Sequence, residues 1–78
     1  MARLILLGPA REVAGCREDV IRAPDVAGVL EQARERYGSA FAELLAHSRV
    51  WRNGILARDE DLVTDQDEIA VVPPISGG

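Results

Sequence analysis

The sequence predicts an α+β fold: a mixed sheet of about five strands packed on one main helix and a second, short one. Three observations carry this. Short apolar runs lie near both ends of the chain, and one amphipathic helical stretch occupies the middle. Between that stretch and the last run the apolar period falls to two around an Asn-Gly turn. The chain has 78 residues, one domain near the lower size limit for a self-sufficient core. Its only aromatics are Tyr37, Phe41 and Trp51, so Leu, Ile, Val and Ala must fill that core.

Residues 2–7 (ARLILL) read as a buried strand ended by Gly8-Pro9, and residues 10–15 as a polar connection closed by Gly15. Residues 18–22 (EDVIR) form a second strand, paired with the first as a hairpin with a long loop and stopped by Pro24. Asp25 is placed as the N-cap of a helix running to about Tyr37, with Gly38 beyond its end. Val26, Val29, Leu30, Ala33 and Tyr37 share one face of it, and Glu31, Arg34, Glu35 and Arg36 the other. Gly28 costs this helix about 1 kcal/mol relative to alanine and is expected to admit a close approach to the sheet. Ser39 is expected to cap a second helix to Ala46 that buries Phe41, Leu44 and Leu45.

Residues 50–52 and 55–57 flank Asn53-Gly54, the strongest hairpin signal in the chain. Acidic turns follow at 59–61 and 65–67, then a last strand at 68–72 (EIAVV). The nearly continuous apolar character of the first and last strands suits a central pairing of the two. That order of elements is the β-grasp, or ubiquitin-like, arrangement, with residues 1–72 as its body and 73–78 as an extended tail.

Composition excludes several functions. Asp+Glu number 13 against 9 basic residues, a net charge of −4 that disfavours nucleic acid and favours a basic protein partner. All nine basic residues are arginine, so no ε-amine of this chain is available to an activated carboxyl group. No apolar run is long enough to span a bilayer and no signal-peptide pattern is present, which points to a cytoplasmic domain without membrane contact. A lone Cys16 excludes an intramolecular disulfide framework and a Cys-based zinc site. His47 has no imidazole or thiol near it in sequence and fits the end of a short helix. The carboxylates at 59–61, 65, 67 and 68 lack calcium-loop spacing and read as a solvated acidic face, so no metal is expected. Phosphate-loop and dinucleotide motifs are absent, so the chain is expected to bind no cofactor and not to be catalytic alone.

The distinctive feature is the end. The last strand meets Pro73-Pro74, which cannot continue a ladder and favour an extended backbone. The six residues Pro73, Pro74, Ile75, Ser76, Gly77 and Gly78 reach roughly 20 Å when extended. Gly77 and Gly78 have no side chains, so a carboxylate at Gly78 suits a narrow channel where any Cβ would clash.

In these residues the chain resembles the MoaD-type small subunit of molybdopterin synthase, a ubiquitin-like sulfur carrier of the MoaD/ThiS superfamily. The resemblance spans essentially the whole sequence. It is strongest in the tail, in the acidic stretch 62–69 before the last strand, in residues 10–15, and in Val50-Trp51-Arg52-Asn53-Gly54. Gln66 departs from it, since these carriers often have glycine between the two acids.

The resemblance implies that Gly78 is adenylated by an E1-like partner that supplies the ATP site. A sulfur-donating protein then converts it to a thiocarboxylate. In complex with the large synthase subunit, that sulfur passes to a pterin precursor, with Gly77 giving access to the tunnel. It also implies a docking patch at Leu7, Leu56 and Val72, smaller and more aliphatic than in similar proteins; each of the three suits core packing as well. Arg11 is expected either to orient the loop or tail or to make a surface salt bridge. Carriers for cysteine or thiamin synthesis, and a protein modifier forming isopeptide bonds through Gly78, are the alternatives.

Overall fold

A computed structural model of the chain describes residues 1–74. Strand β1 (Ala2–Leu6) pairs antiparallel with β2 (Glu18–Ile21). Between them the expected polar connection is instead a helix, α1 (Pro9–Ala14). Pro9 opens it where a missing amide hydrogen costs nothing, and Gly15 closes it at φ 81°, its N–H donating to the Arg11 carbonyl. Gly8-Pro9 therefore ends a strand and starts a helix at once. Ala10, Val13 and Ala14 keep helical spacing, but six residues with Ala10 alone fully buried are too short a stretch for that period to stand out.

The main helix, α2 (Val26–Tyr37), starts as expected at Asp25, whose Oδ1 accepts the Gly28 N–H at 2.8 Å. It buries Val26, Val29, Leu30 and Ala33, with Tyr37 half-buried at its end. The close neighbour of Gly28 is not the sheet. A Cβ there would stand 3.0 Å from the Ala23 Cβ and 3.1 Å from Asp25 Oδ1, so the glycine makes room for the loop that delivers the helix. Helix α3 (Ser39–Ala46) begins at Gly38, φ 90°, without a side-chain cap; Ser39 lies inside its first turn. Phe41 and Leu45 are buried beneath it and Leu44 packs against them.

Strands β3 (Arg49–Arg52) and β4 (Ile55–Leu56) are joined by Asn53 and Gly54 at φ 52° and 82°, the paired left-handed geometry of a type I′ hairpin. The last strand is β5 (Glu68–Val72). Sheet order is β2-β1-β5-β3-β4, with β1 and β5 parallel at the centre and every other pair antiparallel. In register, Leu4 faces Ile69 and Leu6 faces Val71, and all four are buried on the helix side with Ile21. The strands end within one residue of their sequence-based limits: Leu7, Arg22 and Ala57 fall outside, and Arg49 falls inside.

One edge of the sheet is closed by side chains. The Val20 N–H donates to Asp19 Oδ1 at 2.8 Å, and its carbonyl accepts from Arg36 Nη1 at 3.1 Å. Arg36 also pairs with Asp19 Oδ2 at 2.9 Å, and the Tyr37 hydroxyl donates to the same oxygen. With Val20's backbone groups occupied, the outer side of β2 offers little to an incoming strand.

Candidate docking face and tail root

The helices cover one face of the sheet, and strand alternation sets what the other face presents. With Leu4, Leu6, Ile69 and Val71 inward, Ile5, Ala70 and Val72 turn outward. Trp51 lies opposite Ala70 on one side and Leu56 on the other, and Ile5 lies opposite Ala70 across the central pair. An apolar stripe, Ile5–Ala70–Trp51–Leu56, thus crosses four strands. Leu56 is 50% exposed, and Ile5, Ala70 and Trp51 are half-buried.

Of the three patch residues picked from sequence, none lies in the core. Leu7, just past β1, is 45% exposed, and Val72 is half-buried at the end of β5. Ile5, Ala70 and Trp51 were not picked. The alternation around Leu4 and Leu6 marks Ile5, but Trp51 and Ala70 become neighbours only through the β3–β5 register. At the opposite end of this face, Arg3 binds Glu68 at 2.9 Å and Glu18 at 3.3 Å, a closed ionic bridge across three strands.

Pro73 is buried and Pro74 exposed, so the packed chain continues one residue past β5. Val72, Pro73 and Pro74 line a groove of about 220 Å³ with His47, the C-cap residue of α3, and Arg49. Ile75, Ser76, Gly77 and Gly78 lie outside the described residues. Arg11, exposed on α1, lines a separate depression with Glu12, Gly15, Cys16, Arg17 and Glu18 rather than the groove at the tail root. Cys16 is half-buried, its Sγ 3.5 Å from the Tyr37 hydroxyl.

The motif around Asn53 works as a clamp that sets the start of β5. Asn53 Nδ2 donates to Asp67 Oδ1 at 2.7 Å, and its Oδ1 accepts the Glu68 N–H at 2.8 Å. The Asn53 N–H completes the link by donating to the Glu68 carbonyl at 2.9 Å. Asp67 Oδ2 takes the Thr64 N–H at 2.7 Å. Asp67 is therefore not part of a solvated acidic face: it is 8% exposed and its carboxylate is fully engaged. Gln66 fits the same turn, its N–H near Thr64 Oγ1 at 3.3 Å. Among the described residues only Asn53 and glycines have positive φ, so position 66 has no need of a glycine.

Asn53→Ala removes two side-chain hydrogen bonds and the residue type that tolerates this φ, an expected loss of about 2 kcal/mol. The thermal midpoint should fall by about 10 °C, and Asn53→Gly, which restores the backbone freedom alone, should recover part of it.

Hydrogen bonds from the Thr64 amide and then Asn53 hold the Asp67 carboxyl below the usual carboxylate range. The Tyr37 hydroxyl does the same for Asp19, with help from the Val20 amide and Arg36. Both carboxyls release protons more readily folded than unfolded, so their contribution is complete above the ordinary carboxylate pKa of about 4 and is lost as pH falls through the lowered folded values. Thermal unfolding followed from pH 7 to pH 2 should show a flat midpoint to about pH 5 and a fall below about pH 4. Asp67→Asn should flatten that fall.

A parallel central strand pair, a helix crossing beneath it, and a final strand ending in Pro-Pro beside an uncovered apolar face define a ubiquitin-like β-grasp protein. The model of the ThiS family matches residues 4–78, and the chain belongs to that family of ubiquitin-like proteins, which includes sulfur carriers of the ThiS and MoaD type. Among solved structures it is similar to small archaeal modifier protein 1 from Methanosarcina acetivorans, with 26% identity, TM-score 0.88, and coverage of 99% of this chain and 95% of that one. The same protein from Haloferax volcanii matches at 28% identity and TM-score 0.82, covering 99% and 98%. A chain of the complex of subunits 1 and 2 of molybdopterin-converting factor from Helicobacter pylori shares the fold at 23% identity and TM-score 0.76, covering 99% and 97%. No protein of curated function matches the chain. Among the described residues, no helix is long and apolar enough to cross a membrane.

Proposed function

We propose that this chain is a cytoplasmic sulfur carrier, the small subunit of a molybdopterin synthase, and that the carboxylate of Gly78 is its working group. The observation that carries this reading is the run Pro73-Pro74-Ile75-Ser76-Gly77-Gly78 issuing from the central strand, within a family match that extends to residue 78. A carboxylate is a poor electrophile. Its oxygen attacks the α-phosphorus of ATP in the site of an E1-like enzyme, expelling pyrophosphate and leaving an acyl-adenylate. A persulfide on a sulfur-donating protein displaces AMP, and a thiol reductant cleaves the resulting acyl disulfide to the thiocarboxylate and the donor's thiol. On the large synthase subunit that sulfur is handed to the pterin precursor, and hydrolysis of the acyl group by water returns the carboxylate.

In this scheme Leu7, Leu56 and Val72, joined by Trp51, form the docking surface, while Pro73, Pro74, Ile75 and Ser76 form the arm. Gly77 permits entry to the channel. The chain itself holds no cofactor. Intact mass after co-expression with the E1-like enzyme and the sulfur donor should rise by one oxygen-to-sulfur exchange, and the product should convert the pterin precursor when the large subunit is added. No mass change would refute the carrier reading. A mass change without pterin turnover would move the chain to a cysteine- or thiamin-type pathway.

A second reading, a protein modifier, is favoured by the likeness to the two modifier proteins at 26% and 28% identity. It requires lysine-linked adducts ending in Gly78 on other proteins, which peptide mass spectrometry detects directly.

A further inference from the structure

We propose that Arg49 is a specificity residue through which the adenylating enzyme recognises this carrier, its guanidinium received by a carboxylate of that enzyme beside the mouth of the tail channel. The inference rests on the carrier reading above. Register places Arg49 directly opposite Val72, the last residue of β5, two residues along β3 from Trp51 and so on the same outward face. With His47 it lines the groove where Val72, Pro73 and Pro74 lie. Arg49 is exposed and makes no ion pair among the described residues.

The charge pattern of the outward face isolates this group. Arg3 is paired with both Glu18 and Glu68 at the far end, leaving that cluster with one excess negative charge, and the middle is the apolar stripe. Arg49 is thus the charge beside the tail root, opposite in sign to the chain's net −4. A partner covering the stripe and admitting the tail would bring its own surface against this guanidinium. A carboxylate there would satisfy it, whereas a basic or apolar group would leave it desolvated and unpaired.

Distance separates this role from the chemistry. Four residues follow Pro74, and extended they span about 14 Å. Arg49 is therefore too far back to touch the phosphates at Gly78 and acts on docking alone. The affected quantity is KM, with kcat preserved.

The test is pyrophosphate exchange catalysed by the E1-like enzyme of the same genome, measured against carrier concentration at several salt concentrations. Arg49→Met, which keeps most of the side chain's bulk, should raise KM about tenfold, and Arg49→Glu about a hundredfold, with kcat within about twofold of wild type. Wild-type KM should rise with ionic strength toward that of Arg49→Met, whose own salt dependence should be weaker. Arg22→Glu makes the same change in net charge just past β2, across the sheet from β3, and should leave KM within about twofold. A KM unmoved by both Arg49 variants, a loss confined to kcat, or an equal effect of Arg22→Glu overturns the inference while leaving the carrier reading intact. Failure of the wild-type chain to support exchange overturns both.

Discussion

Deleting Gly78 is expected to abolish adenylation, a loss of at least about 10²-fold in pyrophosphate exchange, while leaving the thermal midpoint unchanged. The two readouts are expected to diverge because Gly78 carries the reacting carboxylate and no side chain. Among the described residues the buried set runs from Ala2 to Pro73, and Gly78 has no side chain to add to it. Removing one residue from an extended arm withdraws the carboxylate by about 3.5 Å. An attacking oxygen must come within about 3–3.5 Å of its phosphorus, so the shortened arm misses the reaction. Gly78→Ala keeps the reach but adds a Cβ in the channel, and a partial loss is expected. Exchange within tenfold of wild type after the deletion would contradict the carrier reading and favour an interaction module in which the tail is idle.

The parts of this fold that are local in sequence were legible there. Asp25 followed by the Val26, Val29, Leu30 and Ala33 spacing identifies α2 and its buried face, because cap and period lie within one stretch. Asn53-Gly54 specifies its hairpin for the same reason. Helix α1 is not legible because six residues with one fully buried alanine are too few for a period to stand out. The candidate docking face was legible only in part. Leu56 and Val72 were visible through the resemblance, whereas Trp51 joins them by pairing with Ala70 and Leu56, a register no local pattern encodes. Asp67 looked like one more surface acid. Its partners Asn53 and Thr64 make it a structural group, and the former arrives from 14 residues away. Net charge says nothing of local charge: the chain is acidic, yet the group beside Val72 is an arginine.

Phe41→Ala should bring the largest loss of stability, about 3–5 kcal/mol, against a total of roughly 4–12 kcal/mol for a domain of this length. The thermal midpoint should fall by about 15–30 °C. Phe41 is fully buried, and its ring meets Tyr37 edge-on with centroids 5.1 Å apart. Both aromatics of the helical layer are therefore in one contact, and the small aliphatic residues around them have little bulk with which to close the cavity. The damage should propagate along a defined route. Tyr37 positions its hydroxyl on Asp19, and Asp19 holds both the Val20 amide and Arg36 at the sheet edge. Loosening Tyr37 should therefore open β2, read as faster hydrogen exchange at the Val20 amide than at residues of β5. Phe41→Leu, which refills most of the volume, should cost less, about 1–2 kcal/mol. Because Phe41 lies on the helix side of the sheet, Phe41→Ala should still be adenylated with near-normal KM at temperatures where it remains folded. A raised KM under those conditions would mean that the outward face depends on the core beneath it.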